Sequence, residues 1–185
     1  LVAAVGLAGF WLATGRWDLR LLTGQVFRGL EHGTSFAAYR ESVSRVRLLF
    51  TRDDPAGSLM VGWSPEREPQ LALWINGKVD ASSRGDYPTQ VLCAQLPLLL
   101  HPRPREVAVV GLASGITAGA ALTHDLERLD VLELVASMPA AARLFSASNR
   151  DPRADPRGRV VVDDARSFFA HTRRQYDVIV SEPSN

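Results

Sequence analysis

REVAVVGLASGITAGAALTHDLERLDVLE, residues 105–133, is the stretch that decides the fold. It predicts a buried strand at 107–110, a turn of small residues at 111–115, a helix at 116–124 and a second buried strand at 129–134. Glu133 stands near the end of the second strand. A strand, a glycine turn, a helix and a strand that ends in an acid predict one βαβ unit of a nucleotide-binding fold.

The spacing of the glycines indicates which nucleotide the unit would bind. A dinucleotide fingerprint has glycines at the first, third and sixth places of the turn, where this chain has Gly111, Ala113 and Ile116. The pattern therefore argues against NAD or FAD. Gly111 and Gly115 fit the G-x-(G/A)-x-G turn of S-adenosylmethionine-type folds, in which Glu133 would accept hydrogen bonds from a ribose. The same two glycines would also suit a tight turn that binds nothing.

Composition predicts an ordinary globular domain with a small accessory piece. The 185 residues are 46% hydrophobic and 22% charged, with a formal net charge of +1. This balance gives no reason to propose nucleic acid as a partner. The one cysteine, Cys93, cannot form an intramolecular disulfide, and the four histidines show no metal-ligand spacing. We predict no metal site.

The beginning of the chain is apolar. Residues 1–13 carry no charge, and the first charged residue is Arg16. Because a membrane span needs about 20 such residues, we predict that residues 1–40 contain the end of a membrane helix and a connector. Arg16, Arg20 and Arg28 predict a cytoplasmic flank, and hence an inner-membrane protein whose α/β domain lies in the cytoplasm. A buried amphipathic helix is the alternative.

Residues 41–85 predict a small antiparallel sheet. An alternating apolar pattern at 42–52 and apolar runs at 59–63 and 70–75 are separated by polar turn sequences. Asn76-Gly77 then gives the strongest short signal for a β-hairpin.

Residues 86–185 predict a nucleoside-binding α/β domain. Helices are expected at 87–100, at 140–148 and after Asp164, and further strands at 160–162 and 176–181. Strands that alternate with helices predict a parallel sheet with right-handed crossovers. The fold class is therefore α/β, with a small N-terminal antiparallel sheet followed by a Rossmann-like sheet of the S-adenosylmethionine-methyltransferase type. We expect that sheet to continue beyond residue 185.

With these parts in order, the chain resembles the spermidine synthase (polyamine aminopropyltransferase) family. It is most similar to the bacterial sub-group in which that domain follows a multi-helix membrane region. The matching stretches are LWINGKVDAS, LPLLLHPRPREVAVVGLASG, VLEL, VVDDARSFF and YDVIVSEPSN. The resemblance implies decarboxylated S-adenosylmethionine or S-adenosylmethionine as co-substrate, a small-molecule amine or other nucleophile as partner, and a homodimer as the expected assembly.

The resemblance also implies roles for single residues. Glu133 matches the acid that binds the ribose hydroxyls of the donor, and Asp164 and Ala165 match the pair that reads the adenine. Gln90 matches a glutamine that lies against the nucleoside. Glu182 stands where the family carries its catalytic Asp, so it would accept a proton from the attacking amine. The predicted nucleoside-binding set is Gln90, Gly111, Ser114, Gly115, Glu133, Asp164 and Ala165.

The positions that contact the amine in the family are changed here. Ser114 replaces an Asp that holds the aminopropyl ammonium, and Thr89 replaces an amine-binding Tyr. Val135 and Asn185 each stand where the family carries an acid. Because an unpaired buried ammonium costs several kcal/mol, these changes disfavour ordinary polyamine substrates.

Three hypotheses about function follow. The first is an aminopropyltransferase-like enzyme with an altered donor or acceptor. The second is a methyltransferase or another user of intact S-adenosylmethionine, since Ser114 removes a negative charge that would repel the carboxylate of that cofactor. The third is a non-catalytic nucleoside-binding module of a membrane protein.

Overall fold

The computed structural model describes residues 18, 20, 21, 35–64 and 68–181. The membrane-helix prediction for residues 1–13 and the catalytic prediction for Glu182 lie outside these residues. Within those ranges, every helix falls short of the length and apolar character that a membrane crossing requires.

Residues 35–64 and 68–82 form a helix and a four-stranded antiparallel sheet. The elements are α1 (Phe36–Ser44), β1 (Arg47–Asp54), β2 (Gly57–Ser64), β3 (Gln70–Ile75) and β4 (Lys78–Ser82). The strands lie in the order β1-β2-β3-β4. Asn76 and Gly77 have φ values of 50° and 79°, as a tight hairpin turn requires, so the predicted hairpin is confirmed.

The strand predicted to begin at residue 42 is wrong in its first residues. The Ser35 side chain accepts a hydrogen bond from the N–H of Ala38 and so caps α1. The helix then continues to Ser44 and buries Tyr39 and Val43. A helix and a strand each bury an apolar side chain every few residues along the chain. The apolar residues around Val43 are therefore compatible with either structure.

The C-terminal part is a parallel sheet with helices. Its elements are α2 (Tyr87–Leu100), β5 (Glu106–Val110), α3 (Ile116–Ala121), β6 (Arg128–Glu133), α4 (Met138–Ala142), a 3₁₀ turn (Arg143–Phe145), α5 (Ser146–Asn149), β7 (Gly158–Val162), α6 (Ala165–His171) and β8 (Val178–Ser181). The strand order is β7-β6-β5-β8, with parallel pairing throughout. The two sheets together confirm the predicted α/β fold class.

The helix predicted at 140–148 is interrupted. The side-chain amide of Asn149 donates to the carbonyl of Ala142 (2.8 Å) and to that of Ser114 (2.6 Å). In a continuous α-helix, the N–H of residue 146 would donate a hydrogen bond to the Ala142 carbonyl. Here the Asn149 amide donates to that carbonyl, and the chain passes through a 3₁₀ turn before α5 begins.

One hydrophobic core joins the two sheets. Leu59, Val61 and Leu73 of the antiparallel sheet belong to the same buried cluster as Val107 and Val131 of the parallel sheet. The antiparallel sheet is therefore fixed beside the carboxyl edge of the parallel sheet, which is where open α/β sheets bind their ligands.

Gly119 allows α3 and α5 to approach each other closely. A Cβ atom on Gly119 would lie 1.9 Å from the backbone oxygen of Asn149. Since that oxygen belongs to the backbone, it cannot move aside cheaply.

We predict that Gly119→Ala lowers the stability of the fold. Helix propensity alone would raise it by about 1 kcal/mol, whereas overpacking against backbone costs about 1–3 kcal/mol. Because the overlap is so large, we expect the steric cost to exceed the propensity gain. Thermal unfolding should show a lower midpoint than wild type, and a higher midpoint would contradict the close approach.

A buried carboxyl lies in the middle of the parallel sheet. Asp130 of β6 is 0% exposed, and its Oδ2 accepts a hydrogen bond from the Tyr176 hydroxyl (2.8 Å). Arg174 Nε lies 3.9 Å from the same oxygen, while Asp130 Oδ1 has no hydrogen-bond partner among the described residues. Burial, followed by the hydrogen bond to Asp130, raises the pKa of Tyr176.

We predict that Tyr176→Phe destabilises the protein by about 1–3 kcal/mol, because it leaves the buried Asp130 carboxyl without its hydroxyl donor. The double variant Asp130→Val/Tyr176→Phe should recover most of this loss, since both polar groups are then absent. Urea unfolding of the two single variants and the double variant measures the difference. Additive losses in the double variant would show that the two side chains are not coupled.

Candidate nucleoside-binding site

A cavity of about 520 Å³ lies between the carboxyl edge of the parallel sheet and the β3–β4 hairpin. Val110 of β5 and Val180 of β8 line it, as do Gly111 and Glu133. The strand order reverses between β5 and β8, and such a reversal marks the ligand crevice of open α/β sheets. The volume falls within the range of about 300–1,000 Å³ that is typical of small-molecule pockets.

The turn after β5 has a strained backbone. Gly111 and Gly115 have φ values of +94° and +80°, and Ala113 has φ of 44°. A Cβ on Gly115 would lie 2.9 Å from Asn149 Nδ2, whereas one on Gly111 would meet no atom within 4 Å. Gly111 is therefore required because of its positive φ. Gly115 is required because of its positive φ and because a side chain there would contact Asn149. Non-glycine residues in the left-handed region cost about 1–2 kcal/mol, and such strain clusters at binding sites.

Glu133 connects the two loops at the edge of the cavity. Its side chain is buried, with 5% of the residue exposed. Oε2 accepts a hydrogen bond from the N–H of Leu112 (2.9 Å), and Oε1 accepts one from the N–H of Val135 (2.8 Å). Each carboxylate oxygen has two lone pairs, so both keep acceptor capacity toward the cavity. A ribose diol could use that capacity.

Gln90 and Ser114 form a buried pair beneath the turn. Gln90 lines the cavity, donates from Nε2 to the Ser82 carbonyl (3.0 Å) and accepts from the Ser114 hydroxyl at Oε1 (2.5 Å). Ser114 is 1% exposed, and its Oγ also accepts from the N–H of Ile116 (3.2 Å). Ser114 thus does not line the cavity, and its hydroxyl holds Gln90 and the start of α3 in place.

The structure places Asp164 and Ala165 away from the cavity lining. Asp164 Oδ1 accepts from the N–H of Ser167 (2.8 Å), which makes it the N-cap of α6. The loop that carries it still begins beside the cavity, because the N–H of Asp163 donates to the Glu133 carbonyl (3.0 Å). Of the predicted set, the cavity is lined by Gln90, Gly111 and Glu133.

Sequence analysis assigned no role to two charged residues of the cavity. Lys78 and Asp80, both on β4, line it. The available signal was that both charged residues follow the Asn76-Gly77 hairpin within four residues. Throughout the described ranges, no cluster of His, Cys, Asp or Glu side chains could hold a metal ion.

The sheet order, the glycine turn and the acid at the end of β6 define a Rossmann-like α/β domain with its cavity at the carboxyl edge. A family model described as the spermine/spermidine synthase domain matches residues 88–185, just over half of the chain. The chain belongs to the spermine/spermidine synthase family. The sub-group in which a membrane region precedes the domain stays a prediction.

Individual relatives agree with this assignment. The chain is 26% identical over 158 residues to a polyamine aminopropyltransferase of Yersinia pestis (strain Pestoides F) and 25% identical to one of Yersinia pseudotuberculosis (serotype O:1b). Each alignment covers 83% of this chain and 52% of the relative, so the chain spans about half the length of these curated relatives.

Two solved structures have a similar fold. A spermidine synthase in complex with the transition state analogue AdoDATO superposes with a TM-score of 0.66 at 21% identity, covering 74% of this chain and 47% of that one. The spermidine synthase from Thermotoga maritima gives the same TM-score and identity, with 73% and 47% covered.

Proposed function

We propose that this chain is the nucleoside-binding part of a spermidine synthase-like transferase. It binds an S-adenosyl donor and transfers the three-carbon amine chain of that donor to an amine. In the reaction that the resemblance implies, the donor is decarboxylated S-adenosylmethionine and the transferred chain is aminopropyl. The observation that carries the proposal is the buried Glu133 carboxylate, which lines the cavity beside a strained glycine turn in a member of this family.

Known relatives support the type of chemistry. The curated relatives are polyamine aminopropyltransferases, and a spermidine synthase of similar fold was solved with the analogue AdoDATO. A nucleoside in the cavity would lie over residues 111–115, with its ribose hydroxyls donating to Glu133. Val109, Leu112 and Val180 give the cavity apolar surface for the remainder of the nucleoside. Asp164 would read the adenine from the loop that begins beside Glu133.

The reaction requires a base. The lone pair of the amine nitrogen attacks the carbon next to the sulfonium, the C–S bond breaks, and its electron pair leaves on sulfur as neutral methylthioadenosine. The new ammonium must lose a proton, and an aliphatic ammonium has a pKa of about 10. A carboxylate near the reacting carbon can stabilise that cation and take part in its deprotonation. We propose Glu182 for this role.

We predict that Glu133→Gln weakens methylthioadenosine binding by about tenfold or more, equivalent to about 1.4 kcal/mol. The amide has one acceptor oxygen instead of two, so it cannot serve both backbone N–H groups and a ribose. Isothermal titration calorimetry measures the affinity.

The matched control is Glu127→Gln, a change of the same type just before β6. The Glu127 side chain is 62% exposed and does not line the cavity. Its Oε1 lies 3.4 Å from Arg105 Nη1. The Glu127→Gln variant should bind methylthioadenosine with the affinity of wild type. If Glu133→Gln also equals wild type, Glu133 has no part in the site.

We predict that Glu182→Gln lowers turnover of the full-length protein by about a hundredfold or more, because the amide cannot accept the proton. Methylthioadenosine affinity should stay within about threefold of wild type. Steady-state kinetics with an amine acceptor tests the first expectation, and calorimetry tests the second. Undiminished turnover would place the base elsewhere.

A further inference from the structure

A hydrogen-bonded contact joins the antiparallel sheet to a loop of the parallel sheet beside the cavity. Asp54 ends β1, and its Oδ2 accepts hydrogen bonds from the N–H of Ser137 (3.1 Å) and from the Ser137 hydroxyl. The two residues are 83 positions apart in the chain, and both are half-buried. One carboxylate oxygen therefore fastens the β1–β2 hairpin to the loop between β6 and α4.

Both partners of this contact lie next to residues that line the cavity. Ala56, two residues after Asp54, lines the cavity and is exposed, so the tip of the β1–β2 hairpin lies at the cavity mouth. Val135 and Met138, on either side of Ser137, line the cavity from buried positions. The contact between Asp54 and Ser137 therefore joins two segments of the cavity wall.

The loop that carries Ser137 is short and begins at Glu133. The N–H of Val135 donates to Glu133 Oε1 (2.8 Å), and the N–H of Met138 donates to the Val135 carbonyl (3.0 Å). A displacement of Ser137 would therefore shift Val135, whose N–H is one of the two backbone donors to the Glu133 carboxylate. The position of the hairpin tip is thus linked to the hydrogen bonding of the acid.

The β1–β2 hairpin is also held at a second point. The N–H of Ser58 donates to Asn76 Oδ1 (2.9 Å), and the N–H of Asn76 donates to the Ser58 carbonyl (2.9 Å). These bonds connect the hairpin to the β3–β4 turn and do not involve Asp54. We therefore expect that loss of the Asp54 contact frees the hairpin tip and leaves the antiparallel sheet folded.

We infer that Asp54 is a positioning residue of the nucleoside site. Through Ser137 it holds the tip of the β1–β2 hairpin and the loop after Glu133 in the arrangement that binds the nucleoside. This inference rests on the proposed function and concerns the same cavity. Asp54 does not itself line the cavity, so it acts through these two segments. Coupling between two sites is reciprocal, so a bound nucleoside must in turn stabilise the contact.

Calorimetry with methylthioadenosine on the full chain tests the inference. Asp54→Ala should weaken binding about fivefold or more, which is a typical size for coupling between two sites, and Ser137→Ala should weaken it in the same direction. The double variant should bind no more weakly than Asp54→Ala alone, because the Ser137 hydroxyl has already lost its acceptor. Asp54→Asn keeps an oxygen that can accept both hydrogen bonds, so its affinity should stay within about threefold of wild type.

The binding stoichiometry separates positioning from a structural role. A residue that only stabilises the fold would lower the fraction of protein that binds and leave the Kd of the folded fraction unchanged. We expect the reverse for Asp54→Ala, with wild-type stoichiometry and a higher Kd.

Asp53→Ala is the matched control. Asp53 Oδ1 accepts from the Ser58 hydroxyl (2.5 Å) within the same hairpin, and neither residue lines the cavity. This variant should bind methylthioadenosine with the affinity of wild type. A wild-type Kd in Asp54→Ala would overturn the inference, as would additive losses in the double variant or an equal loss in Asp53→Ala.

Hydrogen exchange of the wild-type protein decides the matter even if the variants fail to fold. Saturating methylthioadenosine should slow exchange of the Ser137 N–H, which donates to Asp54, by about fivefold or more. Unchanged exchange at Ser137 in protein that binds methylthioadenosine would overturn the inference. Absence of methylthioadenosine binding by wild type would instead overturn the proposed function.

Discussion

The Glu133 carboxylate holds together the two loops on which the cavity depends. The last pair between β5 and β6 is Val110 with Leu132, and Glu133 lies one residue further along, opposite Val162. This register places its carboxylate beside the N–H of Leu112. Burying a carboxylate is costly unless charged hydrogen bonds compensate it, and the two backbone donors supply these. The conformation of the glycine turn and the position of the acid are therefore coupled.

Local sequence signals were sufficient to predict the parallel sheet and the position of Glu133 at the end of β6. The apolar runs at 107–110 and 129–134, the glycines between them and the Asn76-Gly77 dipeptide each encode their structure within a few residues. Contacts between distant residues left no such signal. The helix predicted at 140–148 is interrupted where the Asn149 side chain bonds to two carbonyls, and one of these belongs to residue 114. The predicted start of β1 failed for a different, local reason, since α1 begins at the Ser35 cap and continues to Ser44.

The sequence predicted only part of the candidate site, and the reason is the same. Glu133, Gln90 and Gly111 line the cavity, as their positions in the βαβ unit and the family resemblance implied. The bonding of Ser114 to Gln90 depends on packing between α2 and the turn, which the sequence does not reveal. Lys78 and Asp80 were missed because a five-residue strand with mixed polarity looks like an ordinary hairpin arm.

The charges of the site are placed differently from those that the family resemblance implied. The turn is uncharged, and the charged side chains lie on the hairpin wall, while the acid at the end of β6 is kept. The account therefore stands on one contact, that between the Glu133 carboxylate and a ribose. A crystal structure of the protein with methylthioadenosine measures it most directly. The account predicts a ribose hydroxyl oxygen within about 3 Å of a Glu133 oxygen, inside the cavity. A nucleoside bound elsewhere, or one whose ribose does not contact Glu133, would contradict it.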